Sequence, residues 1–275
     1  MYSVCAVKLI SNDLDFVQRV LEDVRVLARR ELAPRGEITT RVKCDGSILT
    51  EYDQRMQDGL STWVKTYFPA AALLGEEMEA THQHHLLQES DLLWCVDPLD
   101  GTSNFAAGVP FYAVSGALLE HGRIVFGFVY DPVRDEMFYG LSGQGAYLNN
   151  QPLMVRSTPI ALKHSVANVD FKRLPKSLAL ALIEQCPYRS QRSFGSVALD
   201  WCWLAAGRGD IYLHGKQKLW DYAAGSLILS EVGGYAGTLD GKSLLARDLD
   251  RVDLEPKSAC AALNKQTFTE WLAYC

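Results

Sequence analysis

Apolar positions recur at helical spacing from Asp13 to Arg30, where Leu14, Val17, Val20, Leu21, Val24 and Leu27 form one stripe behind a cap at Asn12 or Asp13. The same spacing predicts a second helix from Asp53 to Tyr67, with Met56, Leu60, Trp63 and Val64 on its buried face. Ala71 to Leu74 and Leu92 to Val96 are short apolar runs and read as strands, one ending at Gly75-Glu76-Glu77 and the other stopped by Asp97-Pro98. Between about 111 and 149 the texture is β: FYAVSGALLE, GRIVFGFVYD, EMFYGL and GAYLN are separated by turn pairs such as His121-Gly122 and Ser142-Gly143, which predicts an antiparallel meander. Beyond Pro159 strand and helix alternate. HSVANV, a helix from Ser177 to Glu184, a helix from Ser196 to Ala206, the strand DIYLH, a helix from Tyr222 to Glu231, the strand SACAAL and a helix from Lys265 to Ala273 follow in order. The expected fold class is α/β, or α+β layered, with sheets and helices in alternating layers. One domain over 1–275 is expected, its antiparallel half ending near 155 and its α/β half running from about 156 to the end.

Composition narrows the function classes. Hydrophobic residues make up 48% and charged residues 22%, which excludes a disordered or collagen-like chain. The formal charge is -6, and no basic block balances a phosphate backbone, so no nucleic-acid partner is expected. The seven cysteines form no CxxC pair and their number is odd, so they read as reduced thiols. No basic, apolar leader opens the N-terminus and no run reaches the ~18 apolar residues of a membrane span, so a cytoplasmic protein with no membrane partner is expected.

The sharpest chemical feature is LLWCVDPLDGTSNF, Leu92 to Phe105. Pro98 fixes its own φ and holds Asp97 extended, so Asp97 and Asp100 stand close together on a tight turn and can aim at one point. Gly101 leaves the backbone bare where a ligand approaches, and Thr102 adds a hydroxyl and an amide that can face an anion. Acidic pair, bare backbone and hydroxyl describe a metal-plus-phosphate site. Glu76, Asp53 and Asp221 supply matching acids from other segments. Taken singly, Asp53 and Asp221 also read as helix N-caps, and Glu76 or Glu77 as a solvated loop charge.

Taken together, Gly75-Glu76-Glu77, Asp97 to Phe105, and Trp220-Asp221 to Gly234 resemble the inositol monophosphatase family of metal-dependent, lithium-sensitive phosphatases. The family pattern reads GEE, DP(I/L)DGT(T/S)NF and WDxAAGxxxxxEAGG, and Val232 stands here where the family usually has Ala. The resemblance implies an αβαβα sandwich, a homodimer and two or three Mg²⁺ ions. It implies that Glu76, Asp97 and the carbonyl of Leu99 hold one ion, and that Asp97, Asp100 and Asp221 hold a second. Asp53 and Thr102 would orient the attacking water, helped by Glu76 through a further water. The amides of Gly101 and Thr102 would meet the phosphate. The residue chemistry agrees, because Mg²⁺ takes oxygen ligands and converging carboxylates without a cation repel one another.

The resemblance implies a small-molecule phosphomonoester substrate, such as an inositol monophosphate or a similar sugar or polyol phosphate, with Asp100, Gly101, Thr102, Gly195, Ser196, Val197, His214 and Asp221 facing it. Inositol-cleaving relatives carry a Glu seven residues before the WD aspartate, where this chain has His214. With Lys216 and Lys218 nearby, that His is expected to tolerate a further anionic group. The alternatives are fructose 1,6-bisphosphate, a 3′-phosphoadenosine nucleotide, or a non-catalytic binding protein on the same scaffold. The nucleotide branch usually reads DGTKEF against the DGTSNF of this chain. Thr81-His82-Gln83-His84-His85 suggests zinc, but no carboxylate or cysteine pattern completes it, so it reads as a polar connection between strands. Cys95 reads as packing, Cys44 as a loop thiol, and Trp201, Trp203 and Leu204 as helix core; Asp170 to Arg173 follow a strand at a place that could face substrate, with solvated loop charge as the default reading.

Overall fold

The computed structural model describes residues 14–33, 38–43, 46, 48–154 and 158–275. Cys44 and the cap expected at Asn12 or Asp13 lie outside them. Helices α1 (Leu14–Glu31) and α2 (Glu51–Tyr67) flank a two-stranded ribbon, β1 (Thr40–Val42) and β2 (Ile48–Thr50). A seven-stranded sheet follows, formed by β3 (Ala72–Gly75), β4 (Leu92–Asp100), β5 (Ala113–Glu120), β6 (Arg123–Asp131), β7 (Glu136–Leu141), β8 (Gly145–Leu148) and β9 (Gln151–Pro152) in chain order. Only the first pair, β3 with β4, is parallel. Between them lies α3 (Ala80–Glu89), and α4 (Thr102–Ala107) joins β4 to β5.

The second sheet contains β10 (Val166–Asp170), β11 (Ser190–Arg192), β12 (Ile211–Gln217), β13 (Tyr235–Gly237) and β14 (Lys257–Ala262) in the order β11-β10-β12-β14-β13. Helices α5 (Lys176–Gln185), α6 (Val197–Ala205), α7 (Leu219–Glu231) and α8 (Lys265–Tyr274) belong to this half.

Side-chain alternation along the strands sorts these elements into layers. Leu92, Trp94 and Val96 of β4 face Val17, Val24, Met56 and Trp63 of α1 and α2. Leu93 and Cys95 face the opposite way, into a core shared with Trp201 of α6, Tyr222 and Ile228 of α7, and Tyr212 and Ala261 of the second sheet. The far face of that sheet buries Val169, Leu213 and Cys260 against Leu182 of α5 and Trp271 of α8. The order is α1/α2, seven-stranded sheet, α6/α7, five-stranded sheet, α5/α8, which is the expected αβαβα sandwich.

One reading gains detail, since the connection between β3 and β4 is helical, and one needs correction. The His tract lies on helix α3, with His82, His84 and His85 exposed and Gln83 turned inward. The helix carries few apolar positions and no side-chain cap, so it left a weak signal. Strand β4 does not stop before Asp97; it continues through Pro98 to Asp100 across a register shift against β5. Pro98 is tolerated there because the bulge interrupts the ladder.

The central helix pair sits close to the first sheet. A Cβ on Gly127 of β6 would stand 2.9 Å from the Ala224 backbone of α7. Gly127→Val is therefore expected to push α7 off the sheet and cost about 1–3 kcal/mol. Denaturant midpoints would measure this, and an unshifted midpoint would show that the layers are not held at contact distance here.

Candidate active site

The register shift in β4 is what assembles the acids. In a regular strand residues 97 and 100 would point to opposite faces, because their separation is odd. Asp97 pairs with Ser115 and Asp100 with Ala113, so β4 spends one more residue than β5 between the two pairs. Leu99 accordingly turns to the face of Trp94 and Val96, and Asp100 returns to the face of Asp97. Both carboxylates then look toward α6 and α7. The main-chain N–H of Leu99 donates to Asp97 Oδ1 at 3.0 Å. Asp100 Oδ2 accepts from Ser196 Oγ at 2.5 Å and from the N–H of Ala198 at 2.7 Å.

Asp53 and Asp221 each occupy the third position of a helix, not the N-cap. Thr50 caps α2 and Lys218 precedes α7. The N–H of Thr50 donates to Asp53 Oδ2 and that of Lys218 to Asp221 Oδ2, both at 2.7 Å. A carboxylate reaching back in this way satisfies a helix-end amide and fixes its own orientation. Thr102 Oγ lies 2.9 Å from both Asp53 Oδ1 and the Leu99 carbonyl, so its single proton has two alternative acceptors.

Glu76 stands just past the end of β3, in a turn closed by Gln83, whose amide donates to the Gly75 carbonyl at 2.8 Å. Lys43 Nζ donates to Glu76 Oε1 at 2.8 Å and to Glu77 Oε1 at 2.6 Å, so Glu77 is half-buried and paired, not a solvated charge. Burial disfavours the Lys43 ammonium, but the two glutamates outweigh it and raise its pKa. One carboxylate oxygen from each of Glu76, Asp97 and Asp221 lies within 4.8 Å of the others. Asp100 borders the same cavity, of about 190 Å³, but is turned onto Ser196.

Crowding shows in the titration of these groups. Burial, then the charges of Glu76, Asp100 and Asp221, raise Asp97 well above the carboxylate range. Burial with the charges of Asp100 and Glu76 does the same to Asp221. Burial raises Asp100 to about 6 despite its bonds from Ser196 and Ala198. Asp53 is raised by burial against the bonds from Thr50 and Thr102.

The remaining expected residues line this cavity too: Gly101, Thr102, Gly195, Ser196, Val197 and His214. Gly101 takes φ 91° at a point where a Cβ would meet the Phe111 carbonyl at 3.0 Å. Gly195, at φ 86°, packs against Asn104, whose amide donates to the carbonyls of Phe111 and Phe194 at 2.7 Å each. His214 is buried and in register beside Asp170. Its Nε2 lies 3.0 Å from Asp170 Oδ2, and its Nδ1 accepts the N–H of Lys216 at 3.2 Å. Both ring nitrogens are thus engaged within the protein.

Sequence reasoning missed Lys43 and Asn104, and for Asp170 and Arg173 it took solvated charge as the default over a place facing substrate, whereas both line the cavity. It missed Asp200 as well, a buried acid in the otherwise apolar helix VALDWCWLA; that isolated charge was the available signal. Cys95 and Trp201 are buried in the core as expected.

The family pattern described as the inositol monophosphatase family matches residues 13–274. The chain is 33% identical over 237 residues to the Nus factor SuhB of Pasteurella multocida, covering 84% of this chain and 86% of that protein. It is 34% identical over 200 residues to the inositol-1-monophosphatase of Bacillus subtilis, covering 71% and 74%. Among solved structures, the extragenic suppressor protein suhB of Bartonella henselae matches with TM-score 0.76 at 27% identity, over 94% of this chain and 96% of that one. The Thermotoga maritima IMPase matches with TM-score 0.79 at 26% identity, over 94% and 96%.

Raised carboxyl groups make the metal-free fold pH-sensitive in a definite direction. Their protons leave the unfolded chain near pH ~4 and leave the folded protein later, so stability from this cluster falls as pH rises from ~4 through the folded values, about 6 for Asp100. Asp97→Asn is expected to raise the melting temperature in EDTA at pH 7.5, by roughly 2–4 °C per kcal/mol of relieved repulsion. The gain should vanish near pH 4. Melts at the two pH values check this, and an equal effect at both would remove the repulsion as its cause.

Proposed function

The chain belongs to the inositol monophosphatase family and is a phosphatase, and from that premise we propose that it hydrolyses a phosphomonoester of a sugar or polyol, of the inositol monophosphate type, with Mg²⁺. The observation that carries this reading is the convergence of Glu76, Asp97 and Asp221 within 4.8 Å on the wall of one cavity. Oxygen donors of this number and charge suit a hard divalent cation, which is usually held by a few carboxylates together with substrate phosphate. Asp97 and Asp221 each have one oxygen tied to the main chain and a second without a partner among the described residues. In the proposal Glu76, Asp97 and the Leu99 carbonyl hold one ion, and Asp97, Asp100 and Asp221 another, two or three ions being used in all. Bound there, the cation supplies a lowered pKa for water and charge to stabilise the leaving oxygen.

The chain's own residues perform the positioning. When Thr102 donates to Asp53 Oδ1, its oxygen keeps a lone pair that can accept a hydrogen bond from the water facing phosphorus. Asp53 then serves as the local proton acceptor, and its burial raises its basicity toward that task. Glu76 assists through a second water. The amides of Gly101 and Thr102 meet phosphate oxygens, while Gly195, Ser196, Val197, His214, Asp100 and Asp221 border the alcohol. A cytoplasmic homodimer completes the proposal; among the described residues no helix is long and apolar enough to cross a membrane.

Phosphate release from a generic phosphomonoester should require Mg²⁺ and stop in excess EDTA, and Asp97→Asn should lower kcat by about 10²-fold or more. Full activity in EDTA would end the metal-hydrolase reading. Thr102→Ala should lower kcat far more than it raises KM, because orienting the attacking water matters most in the transition state. Steady-state kinetics distinguish this from simple phosphate anchoring, which would appear in KM alone.

A further inference from the structure

Besides the acid cluster, the cavity is lined by the ends of two adjacent parallel strands, β10 and β12. Asp170 closes β10 beside His214 of β12, and the pair is locked. With Nδ1 accepting from Lys216, the imidazole proton resides on Nε2 and is donated to Asp170 Oδ2. Asp170 Oδ1 accepts the N–H of Lys172 at 2.9 Å. The carboxylate is 27% exposed, and burial alone would raise its pKa, but the His214 and Lys172 bonds hold it below the ordinary value. An ionised carboxylate offers about four lone-pair positions. Two are used by the scaffold, so the remainder can serve groups in the cavity.

We propose that Asp170 determines which alcohol this site accepts: its carboxylate, oriented by His214, takes hydrogen bonds from hydroxyls of the leaving alcohol. The proposal rests on the phosphatase reading and deepens it. The donor that a histidine at position 214 was expected to turn toward a ligand is spent on Asp170, so His214 is a positioning residue. Arg173 and Lys218 border the same cavity and are the rival determinants, since together they would favour a second anion. Arg173 is exposed and Lys218 lies against Trp220, its Nζ 6.0 Å from the ring centre. Asp170, by contrast, is fixed by two hydrogen bonds in the wall, and a second anion beside it would meet a like charge. That arrangement favours a neutral polyol.

The test uses the full chain with Mg²⁺ and three esters: inositol 1-phosphate, 4-nitrophenyl phosphate, whose leaving group brings no further hydroxyl, and fructose 1,6-bisphosphate. Asp170→Ala is expected to lower the ratio of kcat/KM for inositol 1-phosphate over 4-nitrophenyl phosphate by roughly tenfold or more, mainly through KM. Asp170→Asn, a gentler change for folding, should lower it less. His214→Ala should lower the ratio, and His214→Gln, whose amide can still donate to Asp170, should restore much of it. An unchanged ratio in both Asp170 variants overturns the proposal while leaving phosphatase activity standing. So does a preference for the bisphosphate that Arg173→Ala removes and Asp170→Ala does not. A parent protein that turns over none of the three esters overturns the proposed sugar- or polyol-phosphate substrate, and this proposal with it.

Discussion

Like-charge repulsion is the constraint around which this molecule is built. Bringing Glu76, Asp97 and Asp221 within 4.8 Å, with Asp100 alongside, opposes folding at neutral pH unless something holds the carboxylates in place. Main-chain amides provide much of that hold. Leu99, Ala198, Lys218 and Thr50 each direct an N–H at one of Asp97, Asp100, Asp221 and Asp53. Lys43 compensates Glu76 and Glu77 with a positive charge. The supports come from β2, β4, α6, the residue before α7 and the Lys43 loop, so these segments must come together before the cluster can exist.

The bulge in β4 connects that electrostatic problem to the fold. One extra residue between Asp97 and Asp100 reverses the facing of the strand, burying Leu99 with Trp94 and Val96 while returning Asp100 to the face of Asp97. The central helices α6 and α7 lie against that same face. Their N-termini bring Ser196 and Asp221 to the cavity, and the Ala198 N–H to Asp100. Asn104 of α4 bridges Phe111 and Phe194, so the loop carrying Gly195 is tied to the connection between β4 and β5.

Much of this was legible in the sequence. Layer order followed from periodicity together with the family resemblance, and the acidic segments announced themselves because Asp, Gly and Thr next to a buried strand have few purely structural explanations. What escaped was set by long-range pairing. The face reversal at Asp97–Asp100 depends on how β5 pairs, which the local pattern of β4 does not contain. Asp170 looked like a solvated charge because its partner, His214, lies 44 positions away and meets it only through the parallel register of β10 with β12. The short strands β11 and β13 offered too few alternations to be seen. Asp53 and Asp221 looked like helix caps; the true positions, three residues further in, follow from Thr50 and Lys218 taking the outer places.

That inward placement separates the acids of this site into two evolutionary kinds. Asp53 and Asp221 close the first turns of α2 and α7 as well as serving the site, Asp221 in the cavity wall and Asp53 through its bond from Thr102, so a descendant that abandoned hydrolysis would still be selected to keep them for folding. Glu76 and Asp97 close no helix turn: Glu76 is held by Lys43 and Asp97 by the Leu99 N–H, and burial and like charge work against the Asp97 carboxylate. Drift after loss of activity should therefore erase the cluster unevenly, neutralising position 76 or 97 first. A surviving pair of helix-end aspartates in a distant relative would then be a relic of architecture and no sign of catalysis.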